Sequence, residues 1–414
     1  MQFIGIDFGT SNSLASLVRD GKPEFVRFPD GNISTPTILY FPAKSKQHYI
    51  GTDAVYRYLA QLEETPQDAG RLMLSIKTLL PEANFDYTTV VGFGNQRAED
   101  LAARFLSVLK RDAEEQFSSR FDGVVLGRPV NFNELAVKRL EDAARQVGFK
   151  KIVFWLEPVA AALAHEMTTT DDELVCVVDL GGGTSDICVI ETSPKRSHLA
   201  KRENDIKATS GVNQAGDELN SRIMRERLAP RFGAGSTFFS LGKTMPFPIH
   251  LIEKISKWHR INLLKNSRDI GDIREILRSS DRPEDVDRLL NLIRHYYGFE
   301  LFRAIDEAKK ELSNEPSASV KFRPLDLDEE ISIGEFENLA APVAEKIEAA
   351  IHESLQLASV SPQNIKRVIL TGGTSQIPML SAMVTKIFGR DKIVRPDYFS
   401  SVATGLGYAA SRLK

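Results

Sequence analysis

Two stretches of the chain repeat one order of apolar and polar positions. In each, an apolar run ends at an aspartate, a glycine-containing turn with hydroxyl side chains follows, and a second apolar run leads away. The stretches are residues 3–18 and 175–190, with the aspartates Asp7 and Asp179 about one domain length apart. Two apolar runs joined by such a turn are typical of a β-hairpin. The repetition predicts a duplicated lobe.

The rest of the chain alternates strand-like and helix-like patterns. Apolar spacing predicts helices over 98–118 and 133–147, and strands over 122–129, 152–156 and 366–371. This alternation indicates an α/β class with a mixed sheet in each lobe. Residues 226–300 are the least regular and contain several aromatics. They predict a subdomain with a small core of its own, or else an exposed face that binds a partner.

Composition narrows the function class. The 414 residues are 42% hydrophobic and carry a net charge of −3, so neither a nucleic acid nor an anionic membrane is an expected partner. Cys176 and Cys188 lie in apolar runs and are expected to be buried thiols. No leader peptide and no membrane-spanning stretch is recognisable. We expect a soluble, cytoplasmic protein.

The glycine turns supply the chemistry. Glycines let backbone N–H groups converge on an anion, so Gly9-Thr10-Ser11-Asn12 and Gly181-Gly182-Gly183-Thr184 could hold a polyphosphate from opposite sides. Asp7 and Asp179 would then share Mg²⁺ with phosphate oxygens and water. A third site, Gly372-Gly373 after an apolar strand, could lie against a base or sugar; a purely structural left-handed turn is the alternative.

At this point the motifs carry a family resemblance. Residues 7–13, 179–186 and 372–378 resemble the two phosphate motifs and the adenosine motif of the seventy-kilodalton heat-shock protein family. Residues 157–162 look like its first connecting motif, 75–80 its lysine-bearing segment and 307–313 the helix that holds the adenosine. The motifs occur in family order from residue 3 to about 410.

The resemblance implies a two-lobed actin-like ATPase fold. Its lobes are duplicated and ribonuclease H-like, each with a mixed sheet flanked by helices, and carry inserted subdomains. Lobe I would comprise 1–172, with an insert at about 34–96, completed by a C-terminal helix at 396–414. Lobe II would comprise 173–395, with an insert at about 216–325.

It also implies roles for individual residues, with ATP or ADP and Mg²⁺ as cofactors. Residues that would neutralise charge at the γ-phosphate or orient the attacking water are Lys77, Glu157, Asp186 and Thr184. Asp7 and Asp179 would hold the metal, largely through water. Residues that would contact the nucleotide are Gly9, Thr10, Ser11, Asn12, Gly181, Gly182, Gly183, Gly216, Asp306, Lys309, Lys310, Ser313, Gly372, Gly373, Thr374 and Gln376.

The chain departs from the family pattern in several places. Gln376 and Lys310 replace arginines beside the base, which weakens stacking on the adenine. The usual aromatic two residues after Pro129 is missing, and Lys138, or a nearby cation, replaces an arginine that relays nucleotide state. The last residues resemble the final helix of the ATPase domain, and the resemblance to a short, YegD-like branch of the family predicts that no linker or peptide-binding domain follows it.

Mg²⁺-dependent binding and slow hydrolysis of ATP by a chaperone-like ATPase is therefore the expected function. It would act as a monomer, with an unidentified protein partner or client. A filament-forming actin-like ATPase, a small-molecule kinase of the same superfold and a nucleotide sensor with little hydrolysis stay open as alternatives.

Overall fold

A computed structural model describes residues 1–43, 45–65, 70–82, 89–91, 94–199, 202–261, 264, 267–397 and 399–413. The predicted insert at 34–96 and the predicted C-terminal helix at 396–414 lie in part outside these residues. All of the predicted site residues are among the described residues.

Twenty strands are described. They are β1 Phe3–Phe8, β2 Asn12–Arg19, β3 Lys22–Phe25, β4 Thr35–Pro36, β5 Ile38–Phe41, β6 Tyr49–Ile50, β7 Arg71–Leu74, β8 Thr89–Val91, β9 Gly94–Gln96, β10 Gly123–Arg128, β11 Lys151–Leu156, β12 Glu173–Leu180, β13 Ser185–Thr192, β14 Ile206–Val212, β15 Thr237–Ser240, β16 Lys243–Pro246, β17 Ser317–Phe322, β18 Leu327–Ser332, β19 Arg367–Thr371 and β20 Ile393–Val394.

The described helices are α1 Gly51–Glu64, α2 Ala98–Gln116, α3 Glu134–Gln146, α4 Glu157–Glu166, α5 Gly216–Ile223, α6 Ile249–Ile255, α7 Trp258–Ile261, α8 Ser267–Ser279, α9 Pro283–Arg294, α10 Gly298–Glu311, α11 Ile333–Leu357, α12 Pro378–Phe388 and α13 Ser401–Ser411. The helices predicted over 98–118 and 133–147 correspond to α2 and α3. The Asn133 side chain starts α3 by accepting a bond from the Ala136 N–H. None of the described helices combines the length and apolar character needed to cross a membrane.

Two mixed sheets repeat one topology. The first has the order β11-β10-β1-β2-β3, with β4 also paired to β2. The second has the order β14-β13-β12-β19-β20. In each sheet an antiparallel hairpin, β1–β2 or β12–β13, lies beside two strands parallel to its first strand. The predicted α/β class with two mixed sheets flanked by helices is confirmed.

The chain separates into two compact units. One comprises Met1–Gly216 and Glu345–Lys414, and therefore contains both mixed sheets. The other comprises Asp217–Ala344 and contains the hairpins β15–β16 and β17–β18 with helices α6 to α10. Buried Phe247, Leu251 and Ile255 belong to the core of the second unit, while Phe239 is exposed. These two units do not test the predicted division into lobes at residue 172, which stays a prediction.

Helix α13 packs closely on the first sheet. Gly5 of β1 has no room for a Cβ, because the backbone of Leu406 occupies that position. Gly405 in turn lies directly against the carbonyl of Ala160 in α4. Because these glycines have no side chain, the backbone of α13 can pack directly against the backbones of β1 and α4. Cys176 and Cys188 are both buried free thiols in the second sheet, as expected.

Candidate functional site

The first glycine turn joins β1 to β2. It is tight, because a Cβ on Gly9 would overlap the carbonyl oxygen of Asn12. Thr37 secures it from outside: its hydroxyl donates to the Gly9 carbonyl at 2.8 Å and its N–H to the Ser11 carbonyl at 2.8 Å. The turn is thus held from behind by a neighbouring segment.

The second turn joins β12 to β13 and is held in a similar way. The Gly181 N–H donates to the Thr184 carbonyl at 3.0 Å, and the Thr374 hydroxyl donates to the Gly181 carbonyl at 2.6 Å. The Gly216 N–H also reaches the Gly181 carbonyl, at 3.4 Å. Residues predicted from three separate motifs therefore meet at one turn.

The two turns face each other. A Cβ built on Gly183 would lie 2.8 Å from the hydroxyl oxygen of Thr10. This contact joins the two hairpins within one compact unit. The structure therefore places the two glycine turns next to each other.

The third glycine site lies beside the second turn. Strand β19 runs parallel to β12 with Thr371 opposite Asp179, so the chain after β19 passes the end of the aspartate strand. Gly372 has φ of +80°, and a Cβ there would lie 2.7 Å from Asp179 Oδ1. Glycine is required both by the left-handed backbone and by this approach.

Charged side chains cluster around Lys77. Its ammonium group forms an ion pair with Glu157 Oε1, and both side chains are buried. Glu157 and Lys77 both shift the pKa values of Asp7, Asp179 and Asp186, so these three aspartates lie close to the ion pair. Four carboxyls thus surround one ammonium group.

Burial determines how these groups ionise. It raises the pKa of Asp7 to about 7; Glu157 adds to this rise and Lys77 opposes it. It raises the pKa of Asp186 to about 7 as well, against bonds from Thr184 and from the Val130 N–H at 2.6 Å. The pKa of Asp179 is also well above its usual range, because of burial and neighbouring carboxylates.

The pKa of Lys77 is raised as well, which for an ammonium group favours the charged form. Burial alone would lower the pKa of its ammonium group, but Glu157 and Asp7 outweigh that effect and raise it. Lys77 therefore stays charged, while the raised pKa values of Asp7, Asp179 and Asp186 favour their protonated forms. This excess of carboxyls suits an added cation.

The donor set favours a particular kind of cation. Among the described residues, no three His, Cys, Asp or Glu side chains converge tightly enough to hold a metal by themselves. Any metal here would need further ligands from water and from a bound anion. Mg²⁺ keeps several waters and is commonly held by one or two carboxylates and phosphate oxygens, so Asp7 and Asp179 fit it.

A short 3₁₀ helix, Ile76–Leu79, positions Lys77. Ser75 precedes it with φ of +45°, and its N–H donates to the Thr37 carbonyl at 3.2 Å. The segment that secures the first glycine turn therefore also holds the lysine segment. Phe132 lies beside the ammonium group, its ring centre 5.9 Å from Nζ.

Arg139 secures the far end of this segment, and the sequence analysis did not single it out. Lys138 is exposed, whereas Arg139 is buried and donates to the carbonyls of Leu80 at 3.1 Å and Glu82 at 2.9 Å. It also lies 3.8 Å from Glu99 in α2. The buried cation of α3 is therefore Arg139 rather than Lys138. The helical spacing of buried positions in α3 was the signal that could have identified it.

The residues predicted around the sugar and base lie partly in the other unit. On α10, Asp306 accepts bonds from Lys309 and Lys310, each at 2.7 Å, and from Asn220 at 3.2 Å. Burial would raise the pKa of Asp306, but the two lysines hold it well below its usual range. A contact of Asp306, Lys309, Lys310 or Ser313 with nucleotide stays a prediction.

Comparison with known proteins matches this arrangement to a family. The family model described as "Hsp70 protein" matches residues 3–234 and 295–411. The chain belongs to the Hsp70 family. The matched residues include both glycine turns, Lys77 and the third glycine site. The intervening residues 235–294 contain the β15–β16 hairpin and helices α6 to α9.

One curated relative shows how distant the relationship is. The chain is similar to "Chaperone protein DnaK" of Thermosipho africanus (strain TCF52B), with 25% identity over 423 residues. The alignment covers 99% of this chain and 59% of that chaperone. The chain thus spans about three-fifths of the length of this Hsp70 relative, in its nucleotide-binding domain region.

Proposed function

We propose that this Hsp70-family chain binds Mg²⁺·ATP between its two glycine turns and hydrolyses it slowly to ADP and phosphate. The observation that carries the proposal is the contact of Thr10 with Gly183, which sets the turns against each other beside Lys77 and the aspartates. Two opposed glycine turns match a polyphosphate better than a single small anion.

Charge neutralisation is the first requirement of phosphoryl transfer. The N–H and hydroxyl groups of both turns would donate to phosphate oxygens, and Lys77 would place a permanent positive charge beside the γ-phosphate. Asp7 and Asp179 would hold Mg²⁺, largely through water. The metal supplies further charge neutralisation on the phosphate oxygens when it is bound.

The second requirement is a held nucleophile. Asp186 and Glu157 would orient a water whose oxygen attacks the γ-phosphorus, with ADP as the leaving group. The pKa of about 7 suits Asp186 to accepting the proton that this water loses. Glu157, paired with Lys77, would fix the distance between water and ammonium group.

The remaining contacts concern the nucleoside. Gly216, Thr374, Gln376 and the Gly372-Gly373 turn would border the sugar and base. Nucleotide state would be communicated to an unidentified protein partner, as for a chaperone-like ATPase. Membership of the Hsp70 family favours this function over a filament-forming ATPase or a small-molecule kinase. ATP-dependent pelleting of the protein would support the filament instead.

The test is the variant Lys77→Ala. Loss of an electrostatic stabiliser of this kind typically costs about 100- to 1000-fold in kcat. Phosphate release should fall accordingly, while ATP affinity measured by calorimetry changes by less than about tenfold. Lys138→Ala, an exposed lysine nearby, is the matched control and should leave both unchanged. Turnover that survives Lys77→Ala would remove the assigned role.

A further inference from the structure

Phe399 is a large aromatic side chain that the fold leaves 46% exposed. It lies in the connection between β20 and α13, where its N–H donates to Asp397 Oδ1 at 3.1 Å. A ring of this size normally contributes stability by being buried, so a half-exposed one at a fixed position suggests contact with something else.

The ring lies against the third glycine site. A Cβ built on Gly373 would be 3.5 Å from Cε1 and 3.9 Å from Cζ of Phe399, so the ring edge lies next to the place that a side chain at Gly373 would occupy. Close to this contact, a hydrogen bond of 2.6 Å joins the hydroxyls of Thr371 and Ser401. It links the end of β19 to the start of α13. The position of the ring relative to the glycine turn is thus set by the fold.

The glycine turn connects the ring to the charged cluster. Gly372, which precedes Gly373, lies against Asp179 Oδ1, and the Thr374 hydroxyl donates to the carbonyl of Gly181 in the second glycine turn. A nucleotide whose phosphates occupy the turns would therefore extend toward Gly373, which is itself exposed. An aromatic face at that point is suited to a flat heteroaromatic ring.

We propose that Phe399 is a specificity-determining residue that stacks on the purine ring of the bound nucleotide. The proposal rests on the proposed function, because it requires a nucleotide in this site. Stacking uses the π-face that every base presents and reads none of its edge groups. Phe399 therefore favours nucleotides over inorganic polyphosphate and adds similar affinity for adenine and guanine.

The experiment compares Phe399→Ala and Phe399→Tyr with the unaltered protein. Calorimetry measures the binding of Mg²⁺·ATP, Mg²⁺·GTP and Mg²⁺·tripolyphosphate. Loss of one base–aromatic stack weakens binding by about 5- to 100-fold. Phe399→Ala should weaken both nucleotides by such a factor and leave tripolyphosphate within about twofold, while Phe399→Tyr keeps nucleotide affinity. Tyr56→Ala, which removes a 73% exposed aromatic from α1, is the control.

The outcomes separate this inference from the proposed function. Unchanged ATP affinity in Phe399→Ala would overturn the stacking role and leave ATP binding intact. An equal loss for tripolyphosphate would show that Phe399 supports the glycine turn rather than the base, and would also overturn it. An unaltered protein that binds neither nucleotide nor tripolyphosphate would overturn the proposed function itself.

Discussion

In the folded protein without a bound cation, the carboxyls of Asp7 and Asp186 are only partly ionised at neutral pH. Burial raises the pKa of each to about 7, from a usual value of 3.8. The folded protein therefore binds protons that the unfolded chain releases. The stability contributed by protonation is present at low pH and is lost as the pH rises through about 7.

Ligand-free protein should accordingly be more stable at pH 6 than at pH 8. Each group contributes about 1 kcal/mol over that interval, so the expected difference is about 1 to 3 kcal/mol in the free energy of unfolding. Urea unfolding without nucleotide or metal measures it. Asp186→Asn should reduce the difference.

The control for this prediction is Asp122→Asn. The pKa of Asp122 is lowered by Lys150, so this carboxyl stays ionised from pH 6 to pH 8 and its loss should leave the difference unchanged. Protein that becomes more stable as the pH rises from 6 to 8 would contradict the ionisation described for the cluster.

Among the elements, α13 makes the closest contacts. Gly405→Ala would push a methyl group into the carbonyl of Ala160, where neither helix can yield cheaply. Overpacking of this kind typically costs about 1 to 3 kcal/mol, and a clash with backbone should reach the upper end. Thermal unfolding gives the measurement. Gly271→Ala in α8 meets no atom within 4 Å and should be neutral or stabilising.

Helix α3 acts on the site through Arg139. Arg139→Met would leave two carbonyls without their donor, at a cost of about 1 to 3 kcal/mol, while Glu99 keeps its ion pair with Arg97 at 3.1 Å. Because these carbonyls end the Lys77 segment, kcat should fall about tenfold with ATP affinity little changed. Lys138→Met on the exposed face of α3 is the control.

The opposite combination of effects on kcat and ATP affinity would contradict this positioning role. If Arg139→Met weakened ATP binding but left kcat unchanged, the arginine would support the nucleotide pocket and not the placement of Lys77. Unfolding curves recorded on the same samples separate either effect from loss of folded protein.

Local patterns were enough to predict the elements, but not all of their contacts. The Asp-Gly turns predicted β1–β2 and β12–β13, and apolar spacing predicted α2 and α3 to within two residues. The pairing of Lys77 with Glu157 spans 80 residues and was not predicted; the family resemblance implied only that both residues act at the γ-phosphate or the attacking water. Phe132, Arg139 and Phe399 depend on which helix packs where, which periodicity does not show.

The β15–β16 hairpin illustrates a different limit. Its turn uses Leu241 with φ of +50°, followed by Gly242 with φ of +77°. Leucine is rare in this left-handed region, where Asn, Asp or Gly is normal. The sequence therefore carried no ordinary hairpin signal at this position, which also lies outside the residues matched by the family model.

At the scale of the whole molecule, the residues proposed to bind phosphate lie within one compact unit. Both glycine turns, Lys77 and the third glycine site belong to Met1–Gly216 and Glu345–Lys414. The second unit is Asp217–Ala344, and the insert predicted at about 216–325 stays a prediction. The residues proposed to bind phosphate therefore lie outside residues 235–294, which the family model does not match.

The most direct measurement is a calorimetric titration of ATP with Mg²⁺ and again with the metal chelated. Opposed turns whose aspartates share the metal of a bound triphosphate require Mg²⁺ to tighten ATP binding by about tenfold or more, and Asp179→Asn to remove most of that gain. Equal ATP affinity with and without Mg²⁺ would contradict the account.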